Sequence, residues 1–128
     1  MVDARGLPLR FVLSPGQASD KAAVQPLLDG LRPARDTVAD RGYDARAILD
    51  LIIAHGSRPH IPTQRDRKIQ RSVEPEIYRQ RNLVERFFNR IKHFRAIATR
   101  YHKLARNFLA AIALASIRLW IKHYESTP

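Results

Sequence analysis

The stretch from Glu76 to Ala98 constrains this chain more than any other, because its apolar residues recur at helical spacing and leave one narrow polar stripe. On a wheel of 100° per residue, Ile77, Leu83, Val84, Phe87, Phe88, Ile91 and Phe94 cover an apolar arc of about 160°, enough to hold one side of a helix in a core. Across the helix, Tyr78, Arg81, Glu85 and Lys92 fall within roughly 60° of one another. The plain reading of that stripe is a solvated face with an Arg81–Glu85 i,i+4 pair worth a few tenths of a kcal/mol. The chemical reading starts from the setting of Glu85, a lone carboxylate among Arg81, Arg86, Arg90 and Lys92. Glu85 could hold a cation while Arg81 and Lys92 neutralise phosphodiester oxygens, and Tyr78 could stack on a base or position a phosphate through its hydroxyl.

The rest of the chain reads as strands and helices around that helix. Leu7 to Leu13 has strand character, and Ala4-Arg5-Gly6 looks like the turn of a hairpin. Ser19 is placed to cap a helix with Val24, Leu27, Leu28 and Leu31 on one side, which Pro26 should kink or split. Asp36 to Ala39 is a short strand candidate ending at Asp40. Gly42 then allows a tight turn, and Asp44 is placed to cap a helix from Ala45 to Ala54. His55-Gly56 stops that helix and Arg58 to Pro62 is a brief extended piece. Thr63 to Glu74 is polar and basic without periodicity, a loop expected to be mobile. After a break near Thr99 to His102, a last helix runs from about Leu104 to His123. Strands with helices between and after them give an α/β class.

Charge locates the expected partner. The chain carries a formal charge of +11, and residues 65–128 hold fifteen basic and five acidic side chains against eight and seven in residues 1–64. A polyanion, nucleic acid before a membrane surface, is the partner this favours. With 45% apolar residues and 128 residues in all, one compact domain is expected. The apolar run from Phe108 to Ile121 is shorter than the ~20 residues of a spanning helix and is interrupted by Arg118. No cysteine occurs, which leaves neither disulfides nor thiolate metal sites. The start of the chain lacks the pattern of a signal peptide, and the absence of cysteine fits a reducing, cytoplasmic interior.

Tyr78-x2-Arg81-x3-Glu85-x6-Lys92 resembles in full the Tyr-Arg-Glu-Lys signature of the DDE insertion-sequence transposases, and Ala39-Asp40-Arg41-Gly42-Tyr43-Asp44 looks like their second-Asp motif. Arg81 to Arg95 and Lys103 to Phe108 resemble most closely the insertion sequence five group of the insertion sequence four superfamily. The resemblance implies a ribonuclease-H-like fold in which two Asp and one Glu bind two Mg²⁺ or Mn²⁺ ions. Asp40 and Glu85 are then the catalytic and metal-binding residues, and Tyr78, Arg81 and Lys92 contact DNA. The implied activity is metal-dependent DNA strand cleavage and strand transfer.

The first Asp of that triad belongs, in the family, to a central strand that has no counterpart here; Asp3 and Asp20 do not match it. The expected architecture is therefore a partial ribonuclease-H-like fold, with a truncated mixed sheet and helices followed by a C-terminal helical hairpin. Residues 1–62 form the strand and helix part, 63–75 the basic loop and 76–128 the C-terminal helices. A sheet gapped in its middle must re-pair its strands, borrow one from another chain, or expose edges that invite association. The chain alone is expected to be inactive or incomplete, with the element ends and target DNA as partners, together with a second copy or an upstream transposase segment. The alternative is a basic DNA-binding remnant without catalysis.

Asp40 also has a plain reading as a turn residue. Asp44 reads as a helix cap rather than a third ligand. Arg65, Arg67, Lys68 and Arg71 form either a DNA-contacting loop or a solvated basic one. His55, His60, His93, His102 and His123 lack the spacing of a metal site, and Trp120 and Tyr124 read as core or boundary residues.

Overall fold

The computed structural model describes residues 1–15, 18–93 and 105–127, which form two compact units, Ser14–Arg81 on one hand and Met1–Leu13 with Asn82–Pro128 on the other. The class is mixed α/β, with one two-stranded parallel sheet among the described residues. No helix among those residues is long and apolar enough to cross a membrane.

In the unit Ser14–Arg81, Ser19 Oγ accepts from the Lys21 amide at 3.3 Å and opens a 3-10 turn, Asp20–Ala23, that runs into α1, Val24–Leu28. Pro26 falls in the first turn of α1, where a missing N–H costs least. Val24 and Leu28 are buried. The helix stops before the expected Leu31 because Gly30 turns the backbone left-handed, at φ 72°.

Strand β1, Asp36–Val38, pairs in parallel with β2, Arg58–His60, in the register Asp36↔Arg58, Thr37↔Pro59 and Val38↔His60. Parallel neighbours need a crossover, and α2, Arg46–Ala54, supplies it, with Ile48 and Ile52 buried at i,i+4 spacing. Gly56, at φ 96°, ends the crossover. The Arg58 amide donates to Arg35 O at 3.0 Å and the Ala39 amide to His60 O at 3.3 Å. Pro59 therefore directs its donor-less nitrogen away from β1, the side on which a strand tolerates proline. Asp36 straps the pair together, accepting from Arg58 Nε at 2.9 Å and contacting His60 Nε2 at 2.8 Å. That His60 bond first, then Arg58, holds the Asp36 carboxyl below the ordinary carboxylate range against the opposing effect of burial.

In the other unit the expected hairpin is present but short. The Asp3 amide donates to Leu7 O at 2.8 Å, the Leu9 amide to Met1 O at 3.0 Å, and Val2 bridges Pro8. Gly6, at φ 77°, makes the turn. No strand runs from Leu7 to Leu13: the Pro8 nitrogen points away from Met1–Asp3, and those three residues pair only with Leu7 to Arg10. α4, Asn82–Ile91, and α5, Ala105–Glu125, pack through Phe87, Ile91 and Ala115, with Val2, Phe11 and Leu119 around them. Phe11 stacks on Phe87 with centroids 5.6 Å apart, and Trp120 Nε1 donates to Pro8 O at 2.9 Å. The expected helix end at Ala98, the break at Thr99 to His102, His102 itself and Leu104 lie outside the described residues.

Candidate functional site

The long helix expected over Glu76 to Ala98 is two helices. α3, Pro75–Arg79, ends in a turn, and α4 begins at Asn82. At the junction the bonds tighten to i→i−3, from the Gln80 amide to Ile77 O at 3.1 Å and from the Arg81 amide to Tyr78 O at 3.0 Å. α3 buries no residue, so nothing holds a longer α-helix through the polar run Arg79-Gln80-Arg81. Tyr78 and Arg81 thus lie in the unit Ser14–Arg81, and Glu85 and Lys92 in the unit that resumes at Asn82.

Tyr78 and Arg81 are half-buried, one 3-10 turn apart. Glu85 is exposed in the first turn of α4. The Lys92 amide still donates to Phe88 O at 3.1 Å, so helical geometry extends one residue past α4. Lys92 therefore stands two turns, about 10 Å, from Glu85 on the same side. On the opposite side Phe87 and Ile91, 2% and 3% exposed, anchor the helix and fix that orientation.

Asp40 follows β1 directly and is exposed. It caps the 3-10 turn Arg41–Tyr43, its Oδ1 accepting from the Gly42 amide at 2.8 Å. A Cβ at residue 42 would lie 2.9 Å from that same oxygen, so glycine there lets the turn close against the carboxylate. Burial, with the carboxylates of Asp20 and Asp40, raises the Tyr43 phenol above its ordinary value. Asp40 and Glu85 are hard oxygen donors of the kind Mg²⁺ and Mn²⁺ take. Among the described residues no group of three or more His, Asp or Glu is placed to hold a metal ion.

Asp44 is not a helix cap. Ala45 occupies the N-cap of α2 without a side-chain bond, and Asp44 is 1% exposed. Its Oδ1 meets Arg71 Nη2 at 2.5 Å, while Oδ2 accepts from the Gln64 amide at 2.9 Å and lies 3.2 Å from Arg67 Nε. Burial alone would raise its pKa, but Arg71, the Gln64 amide and Arg67 outweigh it and hold the carboxyl below the ordinary range. The basic segment 63–74 is therefore tethered. Arg71 also donates to Ile61 O, and its amide to the buried Thr63 Oγ1 at 2.8 Å. Arg65 and Lys68 remain exposed within it. Sequence gave no signal for this tether, since Arg71 lies 27 residues from Asp44.

Residues 1–120, which include Asp40 and the whole Tyr-Arg-Glu-Lys series, match the transposase DDE domain. The chain belongs to that family. This transposase-family chain is also 32% identical over 123 residues to a putative transposase for insertion sequence element IS6501 of Brucella ovis, a match spanning 95% of each. No solved structure matches it.

Proposed function

We propose that this chain acts in DNA transposition by metal-dependent strand cleavage and strand transfer, with Asp40 and Glu85 as metal-holding carboxylates in a ribonuclease-H-like arrangement. The observation that carries the reading is the register Tyr78-x2-Arg81-x3-Glu85-x6-Lys92 within a chain whose residues 1–120 match the transposase DDE domain. Bound Mg²⁺ or Mn²⁺ supplies Lewis-acid polarisation of the phosphodiester, two ions serving the complete site. Arg81 grips phosphate oxygens through its planar fork, Lys92 adds a point charge two turns beyond Glu85, and Tyr78 stacks on a base or donates to a phosphate. Gly42 keeps Asp40 Oδ1 fixed, and Phe87 and Ile91 keep Glu85 turned outward.

On this reading the chain alone is inactive or incomplete unless an upstream transposase segment supplies the first Asp of the triad. Its partners are element ends and target DNA, with a second copy or that upstream segment, at the nucleoid. A second reading, a basic DNA-binding remnant, is favoured by the fifteen basic against five acidic side chains of residues 65–128.

The test is Mg²⁺- or Mn²⁺-dependent nicking of a short duplex by the chain, alone and mixed with the upstream segment, with Glu85→Gln as control. Cleavage by the mixture that Glu85→Gln abolishes is the expected result. Binding without cleavage in either case would leave the DNA-binding remnant.

A further inference from the structure

In the unit formed by Met1–Leu13 and Asn82–Pro128, three pieces of chain converge on a cleft of about 500 Å³. The N-terminal turn brings Arg5, the end of α4 brings Arg90 and His93, and the end of α5 brings Lys122 and His123. Leu7 and Leu119 supply its apolar part, and no carboxylate lines it among the described residues. Arg5 is partly compensated by Asp3, with Nη2 to Oδ2 at 2.9 Å. Arg90 and Lys122 have no carboxylate partner among the described residues, so the uncompensated charge is theirs.

Basic residues in the last turn of a helix also answer its dipole, which accounts for Arg90 and Lys122 taken singly. It does not account for both helix ends and the N-terminal turn lining one concavity. Packing of such like charges around a cleft is unfavourable until an anion enters it. Arg90 is five residues beyond Glu85, about 140° around α4, and about 160° from Lys92. The cleft thus opens on a different side of α4 from the Glu85–Lys92 pair.

We propose that this cleft binds a backbone phosphate of a DNA strand at a position separate from the one Glu85 and Lys92 face. The inference rests on the reading of the chain as a DNA-acting protein. A phosphodiester suits it in size and charge, with Arg90 and Lys122 as charged donors and the two imidazoles as further donors.

Trp120 is the chain's one tryptophan, and Arg5 Cζ lies 5.4 Å over its ring, so filling the cleft perturbs its fluorescence. The experiment titrates the full chain, without divalent metal, with a short duplex and separately with inorganic phosphate, following Trp120 emission and the His93 and His123 ring resonances. The expected result is a saturable change in both signals with duplex, and with phosphate only at far higher concentration. Arg90→Gln with Lys122→Gln should weaken duplex binding roughly tenfold or more and lower the salt slope by about one. Arg35→Gln with Arg46→Gln, two charges removed from the other unit, should change affinity less than about threefold. Unchanged affinity and slope in the first double variant would overturn the proposal, as would phosphate binding tighter than duplex. The ring resonances need no variant: if they stay still while duplex binds, the site is wrong and the DNA-acting reading stands. If no duplex binds at all, both fall.

Discussion

Arg71 Nη2 lies 2.5 Å from Oδ1 of Asp44, a carboxylate that is 1% exposed and set between the turn after Asp40 and the start of α2. The pair joins the segment after β2 to the turn after β1. Arg71→Ala leaves a buried carboxylate with only Arg67 and one amide, and should cost about 3 kcal/mol. Asp44→Ala should cost less, because the Arg71 side chain, 38% exposed, can turn to water. Urea denaturation of the two variants checks the order; equal costs would show that the buried charge is not what matters.

Both Asp44 and Asp36 hold folded-state pKa values below the ordinary 3.8. A depressed carboxyl stabilises the fold above its unfolded pKa and loses that contribution as pH falls to the folded value. Stability should therefore be flat in this respect at neutral pH and fall once the pH drops below about 4. In an Asp44→Asn variant the fall should be shallower. A pH series of thermal melts reads it.

Asp40 and Glu85 are both exposed, and their proposed work is chemical, so Asp40→Asn and Glu85→Gln should each change stability by less than about 0.5 kcal/mol. In the assay reconstituted with the upstream segment, each should abolish nicking. Gly42→Ala should behave alike in part, since its Cβ would press within 2.9 Å of Asp40 Oδ1. A drop of about tenfold in nicking is expected, with duplex binding kept. Loss of fold in Asp40→Asn would mean that the turn, and not catalysis, needs this carboxylate.

Phe87→Ala should cost about 3–5 kcal/mol, because the ring is 2% exposed, stacks on Phe11 and centres the core of its unit. Phe88→Ala next to it, at 50% exposed, should cost under about 1 kcal/mol. Chemical denaturation of the pair tests whether the apolar arc of α4 is oriented as described.

Duplex binding should weaken steeply with salt, by a slope of about −0.9 per phosphate neutralised. Binding as tight at about 0.5 M salt as at about 50 mM would contradict a phosphate-dominated contact.

The features that could be read in the sequence are those that local chemistry settles. Asp36 to Ala39, the crossover helix, its end at Gly56 and the extended piece at Arg58 each follow from spacing, β-branching or glycine, and each is present. The strand expected through Leu13 and the helix face expected to reach Leu31 both stop earlier, at the Val2–Pro8 bridge and at Leu28. The junction at Gln80-Arg81 contains no proline or glycine, so periodicity alone carried one helix through it. Asp44 looked like a cap because its true partners, Gln64, Arg67 and Arg71, are set by tertiary packing. For the site, the residue types and spacings were legible; the interruption of the helix at Gln80-Arg81 was not.

Pro59 gives the parallel pair a polarity beyond its strand direction. Its nitrogen faces outward from β2 and offers no hydrogen, so an incoming strand on that flank would find carbonyls without their complementary donor. On the far flank of β1 the peptide groups of Asp36 and Val38 alternate outward with both donor and acceptor intact. Of the two flanks, the one with its donors and acceptors complete belongs to the strand that leads directly into Asp40.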